Sequence, residues 1–350
     1  MNPIAIRLLA QQLICPQADT PAQTVAHMGA IQAQDYRMMR WAVMMRTRKP
    51  DGATFRAAYD SGEIVRLHLL RGTWQLVSAH DYWWMLDLCA DKAQRVIRGW
   101  MRANHVEIDD HELHRVRDVL VQTCLDLGSA TKDDMAQALT AHGMDMDAHR
   151  LSYHLRLAEL SGTLCSGRLS AMQATYTLAC HKVRRTEPIE RQEMLARLAR
   201  LYFQSHSPAT LADYQWWSGL STSDCQQSIA LLGDELATET WHGHLFYIHA
   251  TCRRRGFRRG SWLLLPPFDE YLIGYKTRHV AIAPEHTARA YTNNGIFFPT
   301  VAHNGTICGN WKPWASQLHT TLWTGEGEAA AQSQWDTFCQ TMGSAETSKG

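Results

Sequence analysis

Two stretches of the chain, Ser129-Ala-Thr-Lys-Asp-Asp134 and Pro208-Ala-Thr-Leu-Ala-Asp213, share an alanine-threonine-x-x-aspartate core. In each, the threonine is typical of a helix N-cap, and the acid falls in the first helical turn, where it complements the positive end of the helix dipole. Each stretch is preceded by one helical pattern and followed by a second, and each then leads into hairpin-like sequence. This recurrence predicts a chain built from repeated helical units.

The predicted elements around the two cores appear in the same order in both places. The helices before the cores are His111–Asp126 and Ile189–Ser205, those after them are Asp147–Leu160 and Thr222–Gly233, and the hairpins are Gly162–Leu178 and Thr238–Ile248. The N-terminal part offers the same parts: helices at Pro3–Ile14, from Thr20, from Met38 and at Gly52–Tyr59, then a hairpin through Arg71-Gly72. Helices followed by a two-stranded wing predict three winged-helix units in tandem.

Beyond about residue 250 the pattern changes to short β-like runs, including Trp262–Phe268 and Ile296–Val301. Asn304-Gly305 is a strong signal for a two-residue hairpin turn. These runs predict a small β-barrel or curled sheet. A last helix is predicted at Glu326–Met342.

The predicted fold class is therefore α+β, mainly α, with three winged-helix units and a small C-terminal β-barrel. The predicted domains are winged helix 1 at 1–105, winged helix 2 at 106–185, winged helix 3 at 186–250, the barrel at 251–325, a closing helix at 326–342 and a disordered tail at 343–350.

Composition restricts the classes of function. Charge is balanced, with 35 basic and 34 acidic residues, but only seven of the basic residues are lysine. Arginine suits bidentate contacts to phosphates and bases, although a GC-rich coding bias explains the excess equally well. Nine cysteines without C-x-x-C pairs, and no signal-peptide pattern, predict reduced thiols in a cytoplasmic protein. No apolar run approaches the ~18 residues of a membrane span, and no metal motif is evident.

The stretch Met28-Gly-Ala-Ile-Gln-Ala-Gln-Asp-Tyr-Arg37 places two glutamines, Gln32 and Gln34, in an otherwise apolar run. On a helix, residues two apart point to nearly opposite sides, whereas in an extended segment they project from the same side. Two amides on one side could share one water or one base edge. The alternative is that one amide caps the backbone and the other is solvated.

With these motifs, the sequence resembles the AlkZ/YcaQ winged-helix family of bacterial DNA glycosylases. The matching motifs are Gln32-Ala-Gln34 in the AlkZ-like Q-x-Q form, Leu70–Thr73 of the first wing, Pro208–Leu220 of the third unit and Leu264–Arg278 of the barrel. The resemblance implies a C-shaped molecule that binds double-stranded DNA. It also implies removal of N7-alkylated purines, including bulky or crosslinked adducts, with Gln32 and Gln34 as the catalytic residues.

An N7-alkylated purine is cationic and leaves as a neutral molecule, so two amides that position a water suffice for hydrolysis. No lysine lies in the motif, which indicates a monofunctional glycosylase without a Schiff-base step. We expect no cofactor, no metal and a monomer associated with the nucleoid. A non-catalytic winged-helix DNA-binding or regulatory protein is the alternative, because the fold serves both roles.

Further site residues are predicted from residue type and position. Arg37, Arg71, Arg253, Arg254, Arg255, His303 and Asn304 are expected to contact DNA, with the Asn304-Gly305 turn reaching a groove. Asp35, Asp269 and Tyr271 are possible cleft residues. For Asp35 a helix cap or a pair with Arg37 is the alternative, for Asp269 and Tyr271 it is packing, and for the arginine run it is a solvated loop.

Overall fold

The structure is a computed structural model that describes residues 2–171, 173–314, 317–323 and 327–342. The predicted tail, 343–350, and Glu326 of the predicted closing helix lie outside these ranges. The described residues divide into two compact units. Unit 1 comprises the residues up to Phe55 and those from Leu195 onward, and unit 2 comprises Arg56–Met194. The predicted domain boundaries at 105, 185 and 250 stay a prediction.

Helices dominate the described residues. In chain order they are α1 Pro3–Ala10, α2 Pro21–Met28, α3 Met39–Met44, α4 Gly52–Ser61, α5 Ala79–Ala103, α6 Asp110–Leu127, α7 Lys132–Ala141, α8 Ala148–Leu160, α9 Ala179–Lys182, α10 Arg191–His206, α11 Leu211–Ser218, α12 Thr222–Leu232, α13 Glu270–Ile273, α14 Thr287–Ala290 and α15 Glu328–Met342.

The strands are short and belong to small open sheets. They are β1 Ile31–Gln32, β2 Ile64–Leu69, β3 Thr73–Ser78, β4 Ala130–Thr131, β5 Leu164–Ser166, β6 Thr175–Leu178, β7 Leu236–Trp241, β8 His244–His249, β9 Trp262–Leu265, β10 Thr300–His303, β11 Thr306–Trp314 and β12 Gln317–Leu322. The predicted α+β, helix-rich class is confirmed, whereas the winged-helix units and the C-shape stay predictions.

The helix caps that the repeated cores predicted are confirmed. Thr131 and Thr210 each accept a hydrogen bond from the backbone N–H three residues on, and the aspartates Asp134 and Asp213 bond back to the threonine backbone. Thr20 makes the same capping box with Gln23 at the start of α2. Each box satisfies two backbone N–H groups that a helix leaves without partners, so local sequence alone fixes where these helices begin.

In unit 2, strands β2 and β3 form an antiparallel hairpin in which Leu69 pairs with Thr73. The loop between them is tight, with Leu70 and Gly72 at φ values of 49° and 79°. Further along unit 2, strands β4, β6 and β5 form a three-stranded sheet that packs on helices α6, α7 and α8. The apolar core between this sheet and these helices includes Leu120, Leu139 and Leu155, each at most 2% exposed.

In unit 1, strands β9 to β12 form a four-stranded antiparallel sheet with the order β12-β11-β10-β9. Its core includes Leu8 and Leu13 from the N-terminal segment and residues of α13. Among the described residues the first and last strands of this sheet do not pair. The sheet is open, so closure into the predicted barrel is not confirmed.

Two predicted elements differ from the structure at their ends. Helix α1 stops at Ala10 instead of Ile14, because Gln12 has a positive φ of 58° and its side-chain oxygen accepts from the backbone N–H groups of Gln17 and Ala18. The run from Ile296 is irregular, and strand β10 begins only at Thr300. Within the described residues, no helix is both long enough and apolar enough to span a membrane.

Candidate active site

The glutamine motif lies on the segment that joins α2 to α3, and this segment is not helical. Helix α2 ends at Met28, and the φ of 73° at the next residue, Gly29, turns the chain out of the helix. A side chain there would also place its Cβ 2.9 Å from the Cβ of Leu201. The chain then extends through Ile31–Gln32 and bends from Gln34 onward. The helical arrangement that would point the two glutamines apart is therefore excluded.

The two glutamines differ in burial. Gln32 is 4% exposed, and its backbone N–H donates a 2.7 Å hydrogen bond to Oε1 of Glu270. Gln34 is half-buried, and within the described part of the chain no hydrogen bond to its side chain is found. An amide in this position retains a carbonyl oxygen and two N–H groups for a water or a ligand.

A buried histidine stands behind Glu270. Nε2 of His206 lies 3.3 Å from Oε2 of Glu270, and Nδ1 lies 2.8 Å from the hydroxyl of Ser205. The ring stacks on Tyr202 with 4.7 Å between centroids. Burial lowers the pKa of His206 from its usual 6.5, because the enclosed site disfavours the charged ring. The geometry thus joins Gln32, Glu270 and His206 into one buried network.

Asp269 and Tyr271, predicted as possible cleft residues, are buried at 4% and 1% exposure. Both carboxylate oxygens of Asp269 accept from Arg46, at 2.9 and 2.7 Å. The hydroxyl of Tyr271 donates to the carbonyl of Gly305 at 2.7 Å, and burial raises the pKa of this phenol, which keeps its proton in place. Of the two alternatives, these contacts favour packing.

Asp35 is half-buried and caps the segment that leads into α3. Its Oδ1 accepts from the backbone N–H groups of Arg37 and Met38, at 3.0 and 2.9 Å. These bonds resemble those of a helix cap, but Asp35 precedes Met38, the N-cap residue of α3, and they occupy one of its two carboxylate oxygens. The Arg37 side chain is exposed on the same turn. Arg71 is half-buried in the β2–β3 loop of unit 2.

The arginine run at 253–259 divides into two groups. Arg253 donates to the carbonyl of Cys15 at 3.4 Å, and Arg254 pairs with Glu239 at 3.3 Å. The remaining arginines are exposed and make no ion pair within the described residues; we call Arg255, Arg258 and Arg259 the exposed arginine cluster. Phe257 between them is half-buried against the core of unit 1. The run is thus anchored at its start and by its aromatic residue, and its other cations face solvent.

The Asn304-Gly305 turn forms as predicted, with His303 paired to Thr306. The expectation that it reaches a groove does not fit its surroundings. A Cβ at Gly305 would lie 2.3 Å from Cγ2 of Ile4, so the tip packs against α1. Oδ1 of Asn304 accepts from the N–H of Gly260 at 2.6 Å, and the His303 ring stacks on Trp262 at 4.3 Å. These partners use the groups that were expected to contact DNA.

Glu270 and His206 are site residues that sequence reasoning did not predict. Glu270 lies between Asp269 and Tyr271, which are both predicted cleft residues. The sequence signal for Glu270 is a carboxylate in the largely apolar run Leu264–Tyr275. Buried carboxylates are rare unless they are paired, so this position indicated a built-in partner. Among the described residues, no group of three or more histidine, cysteine or acidic side chains could hold a metal ion.

Comparisons with known proteins identify the family and the fold. The family model described as DNA glycosylase AlkZ-like matches residues 25–334, nearly the whole chain. The solved structure of the Streptomyces sahachiroi DNA glycosylase AlkZ has the same fold, with a TM-score of 0.77, 19% sequence identity and coverage of 97% of this chain and 96% of that chain. No curated protein sequence matches this chain. The family match confirms the resemblance drawn from the four motifs: the chain belongs to the AlkZ-like family of DNA glycosylases.

Proposed function

We propose that this DNA glycosylase hydrolyses the N-glycosidic bond of cationic N7-alkylated purines, with a water positioned by Gln32 and Gln34. The observation that carries the proposal is the motif itself. Its backbone is fixed at Gln32 by a bond to Glu270, while the half-buried amide of Gln34 has no hydrogen-bond partner within the described residues. Fixed backbone beside an available amide is the arrangement that a water-positioning site requires.

The substrate class follows from what amides can and cannot do. An alkyl group at N7 makes the purine a good leaving group, because the base departs neutral. A neutral base departs as an anion and needs a proton from a general acid, which a glutamine cannot supply. Asp35, the nearest acid in sequence, already accepts from two backbone N–H groups. The site therefore favours cationic lesions over uracil or hypoxanthine.

Binding to double-stranded DNA is assigned to exposed cations. In unit 1, Arg37 and the exposed arginine cluster carry exposed guanidinium groups that suit phosphate oxygens, and in unit 2 the half-buried Arg71 is a further candidate. Such contacts release counterions, so affinity should depend on salt and not on sequence. His303 and Asn304 are left out of this surface, because protein groups already occupy their side chains.

The test is single-turnover release of N7-methylguanine from duplex DNA, without added metal or cofactor. Gln32→Ala and Gln34→Ala should each lower the rate by ~10²-fold or more, the scale of a positioned proton or water contact. Gln332→Ala, an exposed glutamine on α15, is the matched control and should leave the rate unchanged. Wild-type rates in both motif variants, with intact folding by circular dichroism, would overturn the proposal.

The pH profile separates positioning from acid–base catalysis. If the amides only place a water, the rate should be nearly level from about pH 6 to 9. A steep ionisation with an apparent pKa of about 5 to 7 that disappears in Asp35→Asn would instead assign the role of general base to Asp35. Ready excision of uracil would show that the site activates a neutral base, which the amide mechanism cannot do.

A further inference from the structure

We infer that Glu270 is a positioning residue for the glutamine motif, and that it acts through the backbone of Gln32. The inference rests on the proposed function of Gln32 and Gln34. The carboxylate of Glu270 is 1% exposed, so it does not meet solvent. Its contact with the motif joins residues 238 positions apart in the chain. Glu270 thus ties the motif, which lies in the N-terminal segment of unit 1, to the C-terminal segment of the same unit.

The bond between Glu270 and Gln32 is strong and directional. At 2.7 Å, the N–H of Gln32 donates to a carboxylate oxygen, and such charge-assisted hydrogen bonds are roughly twice as strong as neutral ones. Without this acceptor, the N–H of a residue that is only 4% exposed would lose its partner. The segment would then shift to find another acceptor, and the amide of Gln32 would move with it.

The carboxylate itself is held on several sides. A Cβ at Gly274 would lie 2.9 Å from Oε2 of Glu270, which shows that the helix backbone encloses this oxygen. The backbone carbonyl of Glu270 accepts from the side chain of Gln11 at 3.3 Å. The preceding residue, Asp269, caps α13 and is itself bound to Arg46. These contacts restrict the movement of Glu270 and therefore of the Gln32 backbone that is bonded to it.

His206 completes the support. In its neutral form it donates to Oε2 of Glu270 only with the proton on Nε2, and Nδ1 then lies 2.8 Å from the hydroxyl of Ser205, which itself donates to the carbonyl of Leu201 at 2.7 Å. Helix α10 carries Ser205 and His206. Its Leu201 also packs against Gly29, three residues before Gln32. Helix α10 therefore contacts the segment that carries the motif in two ways: directly, through Leu201, and indirectly, through His206 and Glu270. The arrangement is that of a scaffold which orients the motif without touching the substrate.

The expected effect is on the rate of base release and not on DNA binding. A displacement of about 1 Å at a reacting centre lowers a rate by about 10²-fold. Glu270→Ala should therefore lower the single-turnover rate by ~10²-fold with an unchanged Kd for lesion-containing duplex. Glu270→Gln keeps an acceptor oxygen of the same length and should recover the rate to within about tenfold of wild type.

The decisive experiment is a double-mutant cycle with Gln32→Ala. If Glu270 acts through Gln32, Glu270→Ala should cause no further loss in the Gln32→Ala background. Asp213→Asn is the matched control, because Asp213 is also a buried carboxylate of unit 1, at 0% exposure, and accepts from the backbone N–H groups of Thr210, Lys276 and Thr277; none of its hydrogen bonds within the described residues reaches the motif. It should lower stability without a comparable loss of rate. If Glu270→Ala does not fold, Glu270→Asp, which withdraws the acceptor by one methylene, replaces it in the cycle and should lose at least about tenfold.

Each remaining outcome separates this inference from the proposed function. A wild-type protein that releases no base overturns both. An active wild type with an impaired Gln32→Ala but a fully active Glu270→Ala overturns only the role of Glu270. An equal loss in the wild-type and Gln32→Ala backgrounds also overturns it, since the effect would then be general to the fold.

Discussion

Removing the carboxylate of Asp269 should destabilise the protein strongly, because it breaks a buried ion pair in unit 1. The guanidinium of Arg46 and the carboxylate of Asp269 share two hydrogen bonds, at 2.9 and 2.7 Å, and their side chains are 0% and 2% exposed. In Asp269→Ala the guanidinium keeps the carbonyl of Ala42 and Oε1 of Gln11 as acceptors. Neither carries charge, so a cation would remain buried without an anion.

The magnitude follows from these contacts. Breaking a buried pair by removing one partner costs about 3–5 kcal/mol, and loss of a helix N-cap adds about 1 kcal/mol, since Asp269 also accepts from the N–H of Tyr271. The free energy of unfolding should therefore fall by about 4–6 kcal/mol. For a folded unit of this size, each kcal/mol corresponds to about 2–4 °C, so Tm should fall by about 10–20 °C.

Urea unfolding followed by tryptophan fluorescence measures this change. The control is Asp19→Ala, which removes a carboxylate from an Arg–Asp pair with Arg48 in the same unit, at 50% and 55% exposure. Solvent screens that pair, so its loss should cost at most about 1 kcal/mol. A loss of less than about 1 kcal/mol in Asp269→Ala would refute the reasoning. It would also restore Asp269 as a candidate for the chemistry, since the pair would then contribute little to folding.

Three further predictions concern the hairpin tip, the exposed arginine cluster and His206. Gly305→Ala should destabilise the protein more than Gly295→Ala. The two glycines have similar positive φ values, 81° and 79°, but only at Gly305 would a Cβ meet other atoms, among them Ile4. Equal losses in thermal unfolding would contradict the packed hairpin tip. Glutamine at all three positions of the exposed arginine cluster should lower the slope of log affinity against log salt by about 2–3, and an unchanged slope in a fluorescence-anisotropy titration would remove the cluster from the DNA surface. Burial lowers the pKa of His206 below 6.5, so the unfolded state binds more protons below that pH. The free energy of unfolding should fall as pH drops below about 6.5, less so in His206→Gln, and an identical pH dependence in urea unfolding would contradict the shift.

The parts of the fold that local sequence determines were predictable. The capping boxes at Thr131 and Thr210 involve residues three apart, and the turn at Asn304-Gly305 needs only two residues that tolerate a positive φ. In each case the physical cause lies within one helical turn or one hairpin loop. Pattern reading therefore places these elements without knowledge of the rest of the chain.

The contacts that build the site were not predictable, because their partners are far apart in sequence. Glu270 meets Gln32 across 238 positions, and Arg46 meets Asp269 across 223. Periodicity assigns a residue to a face of an element but not to the element that faces it. The hairpin tip illustrates the same limit: its turn was predicted, whereas the burial of Gly305 against Ile4 depends on the placement of α1.

The candidate site places neutral amides at the motif and ionisable side chains behind them. A cationic lesion needs no acid, so the groups proposed to meet it are amides, whose burial requires hydrogen bonds but no counterion. Ionisable side chains are buried more deeply: Glu270, which holds the backbone of Gln32, faces His206, and Asp269 faces Arg46. Substitution of Gln34 should therefore change the rate with little change in stability, because no bond within the described residues is lost. Substitution of the more deeply buried side chains should change stability, and it should change the rate only where, as at Glu270, a bond reaches the motif.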